Sequence, residues 1–227
     1  MSYESNFKTI VESISDCSDK ANRSGLVSLA AVSKTVGTDV IKKVYSYGQR
    51  IFAENRAQVL RDKSRELNAL DIEWHYIGPL QKNKIKYVYP VASLVHSVDN
   101  IELIEQFEIW AEKTERICPF LLEVHISNET SKQGFSPDEI LDVIKRYKDH
   151  SNLDIRGLMG MAPFVDDEFE VRKSFKLLHS LLDKSKVFEG KAYKAEHLSM
   201  GMTNDYKIAI EEGATIVRIG SAIFSGE

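Results

Sequence analysis

The sequence predicts a single α/β domain folded as a (β/α)8 TIM barrel, with one extra helix at its N-terminus. Three observations carry this. Short apolar runs alternate with amphipathic helical segments along the chain. Eight such runs begin near 27, 51, 73, 93, 120, 153, 195 and 215, about 27 residues apart, close to the spacing of a compact eight-unit barrel. No Pro-, Gly- or Ser-rich linker divides the chain, so residues 1–227 read as one domain, with a leading helix and linker over 1–24 and the barrel over 25–227. A doubly wound open sheet also alternates β and α. It usually advertises a GxGxxG turn early, and none follows the first strand here.

The elements follow in order. Phe7, Ile10, Val11, Ile14 and Cys17 make one apolar stripe on the leading helix, which Gly25 follows. The run 27–32 (VSLAAV) is a buried strand. A helix spans 38–47, capped by Thr38 or Asp39 and closed by Gly48. Strand 51–53 precedes helix 55–67, and strand 73–77 precedes helix 80–89, which stops at Pro90. Strand 93–97 and helix 101–113 come next. Strand 120–126 leads to helix 137–147, with Ser136 as N-cap and Pro137 in the first helical position. Strand 153–158 and helix 167–184 follow, then a polar surface connection over 186–196. Strand 195–198, helix 203–212 ended by Gly213, strand 215–219 and a turn at 222–224 complete the chain. Trp74 and Trp110 read as packing residues.

Composition narrows the function. Of 227 residues, 43% are hydrophobic and 28% charged, as in ordinary globular proteins, which excludes disordered, collagen-like and disulfide-scaffold chains. The net charge of −4 favours neither nucleic-acid nor anionic-membrane binding. Cys17 and Cys118 fit no CxxC or zinc spacing and read as reduced thiols. His125, His150 and His179 have no ligand-spaced partners, so no metal is expected. No apolar run reaches membrane-spanning length. The first 25 residues carry four acids and no apolar core of a signal peptide, so the cytoplasm is the expected compartment.

A barrel keeps its site at the carboxyl ends of its strands. Lys34 closes the first strand, and alternation places it on the inward face with Ser28, Ala30 and Val32. A lysine there loses hydration, which favours the neutral, nucleophilic amine. Arg218 lies on the eighth strand, which barrel closure sets beside the first, so two cations share one mouth. The loops after strands seven and eight, where barrels commonly hold phosphate, offer Ser199, Gly201, Gly220 and Ser221. The helix start near Thr203 adds a dipole end. A Schiff-base lysine beside a phosphate cradle suggests pyridoxal 5′-phosphate (PLP); a phosphosugar would use the same cradle.

The segments AAVSKT (31–36), FAENRAQ (52–58), WHYIGPLQKNK (74–84), HSVDN (96–100), RGLMGMA (156–162) and LSMGMTNDYKIAIEEGATIVRIGSAIF (198–224) together resemble the YggS/PROSC family of pyridoxal phosphate homeostasis proteins. The resemblance runs in order from about residue 26 to the C-terminus. It implies a fold-type III PLP-binding barrel, like the N-terminal domain of alanine racemase, with PLP as an internal aldimine on Lys34. It implies Asn55 near the cofactor ring, His75 lining the pocket, Ser199 and the backbone at Met200 holding phosphate oxygens, Arg218 facing the pyridine nitrogen, and Gly220 and Ser221 completing the phosphate cradle. Ala53 stands where the family usually has Gly, and Ser221 where it usually has Thr. The Lys132-Gln133-Gly134 stretch reads as a solvated loop.

The resemblance also bears on catalysis. A carboxylate opposite the pyridine nitrogen would keep the ring protonated and a strong electron sink. A guanidinium keeps its own protons and accepts none, so the sink is weak. The sequence runs only a few residues past the eighth strand, so no second domain is expected to supply an opposing base. The expectation is a PLP carrier in intracellular PLP homeostasis with no catalytic residue, ahead of a fold-type III racemase or a phosphosugar enzyme. The expected partners are PLP and PLP-dependent apo-enzymes, with neither nucleic acid nor membrane, and the expected state is a monomer.

Overall fold

The computed structural model describes residues 2–127 and 133–226, so Lys132 lies outside the described residues. Eight parallel strands pair in chain order and close on themselves: β1 (Ser28–Val32), β2 (Ile51–Glu54), β3 (Glu73–Tyr76), β4 (Leu94–Val98), β5 (Phe120–Val124), β6 (Ile155–Gly160), β7 (Tyr193–Ser199) and β8 (Ile216–Ile219). The closing pair, β1 with β8, runs in register from Ser28↔Ile216 to Ala31↔Ile219. The predicted barrel and its extra helix are both present. α1 (Tyr3–Lys20) packs on the outside against α2 (Thr38–Ser46), α8 (Tyr206–Glu211) and α9 (Ser221–Phe224). The other helices are α3 (Ala57–Glu66), α4 (Ile85–Val88), α5 (Ile101–Thr114), α6 (Ile140–Tyr147) and α7 (Glu168–Ser185). Among the described residues no helix is long and apolar enough to cross a membrane.

Strand alternation separates two cores. Inside the barrel, Ala30, Val32, Ala53, Leu94, Leu121, Met159 and Ile216 pack together, so the Ala53 methyl fills interior space. Between strands and helices lies the larger layer, including Phe52, Phe120, Leu158 and Val217 against Ile41, Leu60, Phe107 and Phe175. Each such side chain contributes roughly 1.5–3 kcal/mol on burial. On α1, Phe7, Ile10 and Ile14 are buried, whereas Val11 stays 41% exposed.

Four local expectations need correction. The N-cap of α2 is Gly37, with no side-chain cap, because Thr38 is already helical and its hydroxyl bonds Glu66 across to α3. α4 is a single turn preceded by a 3-10 turn over Lys82–Lys84. α6 starts at Ile140, yet Ser136 still caps the preceding turn. Its Oγ accepts the Glu139 N–H, and Glu139 Oε1 accepts the Ser136 N–H, a capping box. β7 begins at Tyr193, inside the tract read as a surface connection. The Tyr193 ring is fully buried and its hydroxyl bonds Ser185, while Lys194 projects outward. Cys17 and Cys118 are free thiols, and Trp74 is a core residue.

Candidate functional site

β1 stops at Val32. The Ser33 N–H makes a last bond to Ala53 O (3.0 Å), and the chain turns, with Val36 N–H bonding Ser33 O at 3.1 Å. Lys34 therefore sits on the turn at the carboxyl mouth and is exposed, not drawn inward on the strand as alternation alone predicts. Ladder bonding ends at Ser33, the residue before it, so the pleat no longer governs its direction. Asn55 follows β2 and is half-buried. Its carbonyl is so close to Gly78 that a Cβ there would stand 2.1 Å from it, and the Ser97 hydroxyl fixes Gly78 O at 2.5 Å. Glycine in WHYIG thus lets the loops after β2 and β3 touch.

Within the barrel, four inward residues form one hydrogen-bonded chain. Arg218, nearly fully buried on β8, donates to Ser199 O (2.9 Å) and Ser199 Oγ (2.7 Å) on β7, and to Gly160 O (3.2 Å) on β6. Ser199 Oγ lies 2.8 Å from His96 Nδ1, and His96 Nε2 lies 2.9 Å from His75 Nδ1. A guanidinium cannot accept, so Ser199 Oγ accepts from Arg218 at one end, and the histidine tautomers set donor and acceptor in the two links beyond it. Burial holds both imidazoles neutral. It is the main cause at His75, pushed down to about 3, with His197 adding to it. At His96 burial acts first, then His75 and Arg218. Burial also lowers Arg218, to about 10, against the pull of Glu123 and Asp205, so it stays charged at neutral pH.

This chain redistributes the expected roles. His75, expected to line the cofactor pocket, lies in register with Ala53 and Leu94 and faces a cavity of about 260 Å³ at the opposite, amino end of the barrel, beside Ser28, Glu73 and His197. Ser199 and Met200, expected to hold phosphate oxygens, are committed elsewhere: the Ser199 hydroxyl to Arg218 and His96, the Met200 N–H to Ile216 O at 3.1 Å. The hydroxyls that do meet at the mouth are Ser221 and Thr203, 3.1 Å apart, which join the loops after β8 and β7. Between them run Gly201, at φ +91°, and Gly220, where a Cβ would lie 3.0 Å from Val32 O. These small residues and paired hydroxyls on the loops after β7 and β8 suit a phosphate, and with Arg218 on β8 and Lys34 on the turn after β1 the residue types fit PLP.

Glu123 escaped the sequence reading. It points inward from β5, and burial, helped by Asp99 and opposed by Arg218, holds its carboxyl at about 7. The two charged groups that act on it come from the loop after β4 and from β8, so no local motif marked it. Among the described residues, no group of three or more His, Cys, Asp or Glu side chains could hold a metal ion.

The neutral histidines make acid stability a test of the chain. A buried His with a depressed pKa binds its proton only after unfolding, so stability is lost as pH falls below the unfolded value near 6.5. Glu123, raised, acts in the opposite sense between about 4.5 and about 7. His96→Gln keeps an acceptor and a donor but cannot titrate. Its stability should therefore fall less steeply below pH 6.5 than the parent's, by up to about 1.4 kcal/mol per pH unit. Urea midpoints across pH 4–8 check this, and parallel curves would show that His96 is not held neutral.

Comparison with known proteins places the chain. The family model described as alanine racemase, N-terminal domain, matches residues 9–227. The chain is 36% identical to the pyridoxal phosphate homeostasis protein of Aquifex aeolicus, over 95% of this chain and 94% of that one. It is 34% identical to the protein of that name from Helicobacter pylori, over 99% of each. The structure of PipY from Synechococcus elongatus with PLP bound matches with a TM-score of 0.80 at 29% identity, covering 93% of this chain and 99% of that one.

Proposed function

The chain belongs to the alanine racemase N-terminal-domain family and, within it, to the pyridoxal phosphate homeostasis proteins, and from that premise we infer that it binds PLP at the carboxyl mouth of its barrel and carries it on Lys34 as a Schiff base, without turnover. The observation that supports this reading is that β1, β7 and β8, neighbours in the closed barrel, carry three unlike groups toward their carboxyl ends: the exposed Lys34, the charged Arg218 and the paired hydroxyls of Thr203 and Ser221.

When bound, PLP supplies an aldehyde that condenses with a primary amine, and a pyridine ring that draws electrons when its nitrogen is protonated. Thr203 and Ser221, with the backbone at Gly220, would hold the phosphate, and Asn55 would adjoin the ring. Arg218 would meet the pyridine nitrogen as a donor that has no acceptor to give, which would leave that nitrogen unprotonated and the ring's pull on electrons weak. The Ser199–His96–His75 chain keeps that guanidinium in one orientation. Such a site retains and releases an aldehyde but stabilises little negative charge on a bound amino acid. PLP-dependent apo-enzymes are the proposed recipients, the cytoplasm the proposed compartment and a monomer the proposed working form.

The test is a visible spectrum of the PLP-loaded protein before and after borohydride, followed by peptide mapping. The pyridoxyl label is expected on Lys34. In a Thr203→Ala, Ser221→Ala double variant PLP retention should weaken at least tenfold, since a hydrogen bond to a charged group contributes about 1.5–3 kcal/mol. Label on another lysine, or undiminished retention in the double variant, would end the respective assignment. Rapid racemisation or decarboxylation of amino acids, abolished by Lys34→Ala, would turn the carrier into an enzyme.

A further inference from the structure

Behind the turn that carries Lys34 lies an ion pair that the binding reading does not use. Glu54 ends β2 and is fully buried on the outer side of the barrel. Lys63 of α3, its side chain 11% exposed, places Nζ 2.6 Å from Glu54 Oε1. Both close on Ser33. The Ser33 hydroxyl donates to the same Oε1 at 2.6 Å, and Lys63 Nζ donates to the Ser33 carbonyl at 2.9 Å. With its N–H on Ala53 O and its carbonyl also accepting from Val36 N–H, every polar group of the residue before Lys34 is fixed.

A buried ion pair by itself is weak evidence for stability, because desolvation offsets the attraction. This one is also unfavourably arranged: a single carboxylate oxygen takes both donors, while Glu54 Oε2 is buried with no partner among the described residues. A buried unsatisfied acceptor costs stability. What the arrangement does secure is geometry, at the residue adjoining the reactive amine.

We propose that Glu54 and Lys63 are positioning residues that clamp Ser33 and thereby aim the Lys34 side chain into the mouth, toward Arg218 and the Thr203–Ser221 hydroxyls. The inference rests on the reading of Lys34 as the attachment point. Attachment forms a C=N bond between Nζ and the aldehyde carbon and expels the aldehyde oxygen as one water, with no change of oxidation state. Its rate depends on how often the amine stands within reach of that carbon. A fixed backbone at Ser33 leaves only the lysine's own side-chain torsions to be ordered.

The experiment adds PLP to the apo-protein and follows the visible band with time. Lys63→Met and Glu54→Gln should slow attachment roughly ten- to a hundredfold, the scale of an ångström's misplacement. Lys63→Arg, which keeps the charge and the donors, should recover most of the rate. Leu60→Ala, on the same helix and in the core, should lower stability without slowing attachment. Should Lys63→Met fail to fold, Glu54→Leu combined with Lys63→Met removes both charges and is read in the same way. Parent-like rates in the clamp variants, with the label still on Lys34, would overturn the clamp alone, as would equal slowing in Leu60→Ala. Label on another lysine would instead overturn the binding reading.

Discussion

Lys34→Ala should leave the protein as stable as its parent and unable to keep PLP through gel filtration. Both halves follow from where the residue sits. Its side chain is exposed on a turn beyond β1, outside either core, so truncation should change stability by no more than about 0.5 kcal/mol. The covalent link is then lost, and only the phosphate and ring contacts remain, the former worth about 1.5–3 kcal/mol per charged hydrogen bond. Retention should fall by about two orders of magnitude or more, with each factor of ten equal to about 1.4 kcal/mol. A urea titration measures the first half and absorbance after desalting the second. A variant that keeps a borohydride-reducible chromophore would remove Lys34 from the site. One that unfolds would show that the turn depends on the lysine itself.

The largest loss of stability from a single methyl is expected at Gly157→Ala. Between Ile155 and Gly157 on β6 and their partners Tyr193 and His197 on β7 the register shifts, with two extra residues on β7. Gly157 takes φ +133° there, and a Cβ would stand 2.0 Å from His197 O and 2.9 Å from His197 N and C. The conformation alone costs about 1–3 kcal/mol for an L side chain. The clash is with backbone, so it cannot be relieved by rotating a side chain, and the ladder must separate. A loss above about 4 kcal/mol is expected, against a typical total of 5–15 kcal/mol. Gly25→Ala is the comparison: φ is +72° but nothing lies within 4 Å, so only backbone strain applies. Urea midpoints of the two variants should differ widely. Similar small shifts would mean that the β6–β7 irregularity adapts readily.

The barrel was legible because each of its eight strands is a short apolar run followed by an amphipathic helix, and Phe7, Ile10 and Ile14 announced the leading helix at the correct spacing. β7 was read as starting two residues late because Lys194, exposed at its start, looks like a loop residue. The proposed place of the site follows from the rule that barrels work at their carboxyl ends. The division of labour inside LSMGMT was not. Ser199 and Thr203 are both small hydroxyl residues four apart, and only the position of Arg218 on the adjoining strand shows which of them is already engaged. The His96–Ser199 bond joins residues 103 apart in sequence, beyond the reach of any local pattern. For Lys34 only the inward direction differs, for a local reason: alternation was extended past the last ladder bond.

Barrel closure also has a timetable. The partner of β1 is β8, and α1 is tied to the far end of the chain, where the Asn6 amide donates to Ser225 O at 3.0 Å. At ribosomal speeds of 5–20 residues per second, β1 emerges roughly 10–40 s before the strand that completes it. During that interval its open edge is a hazard for wrong pairing, and the long-range contact that closes the ring makes folding slow. Gly220 and Ser221, which the proposed site sets against the phosphate, directly follow β8. On that proposal the nascent protein has no complete cofactor site until β8 is out, and loading waits for barrel closure.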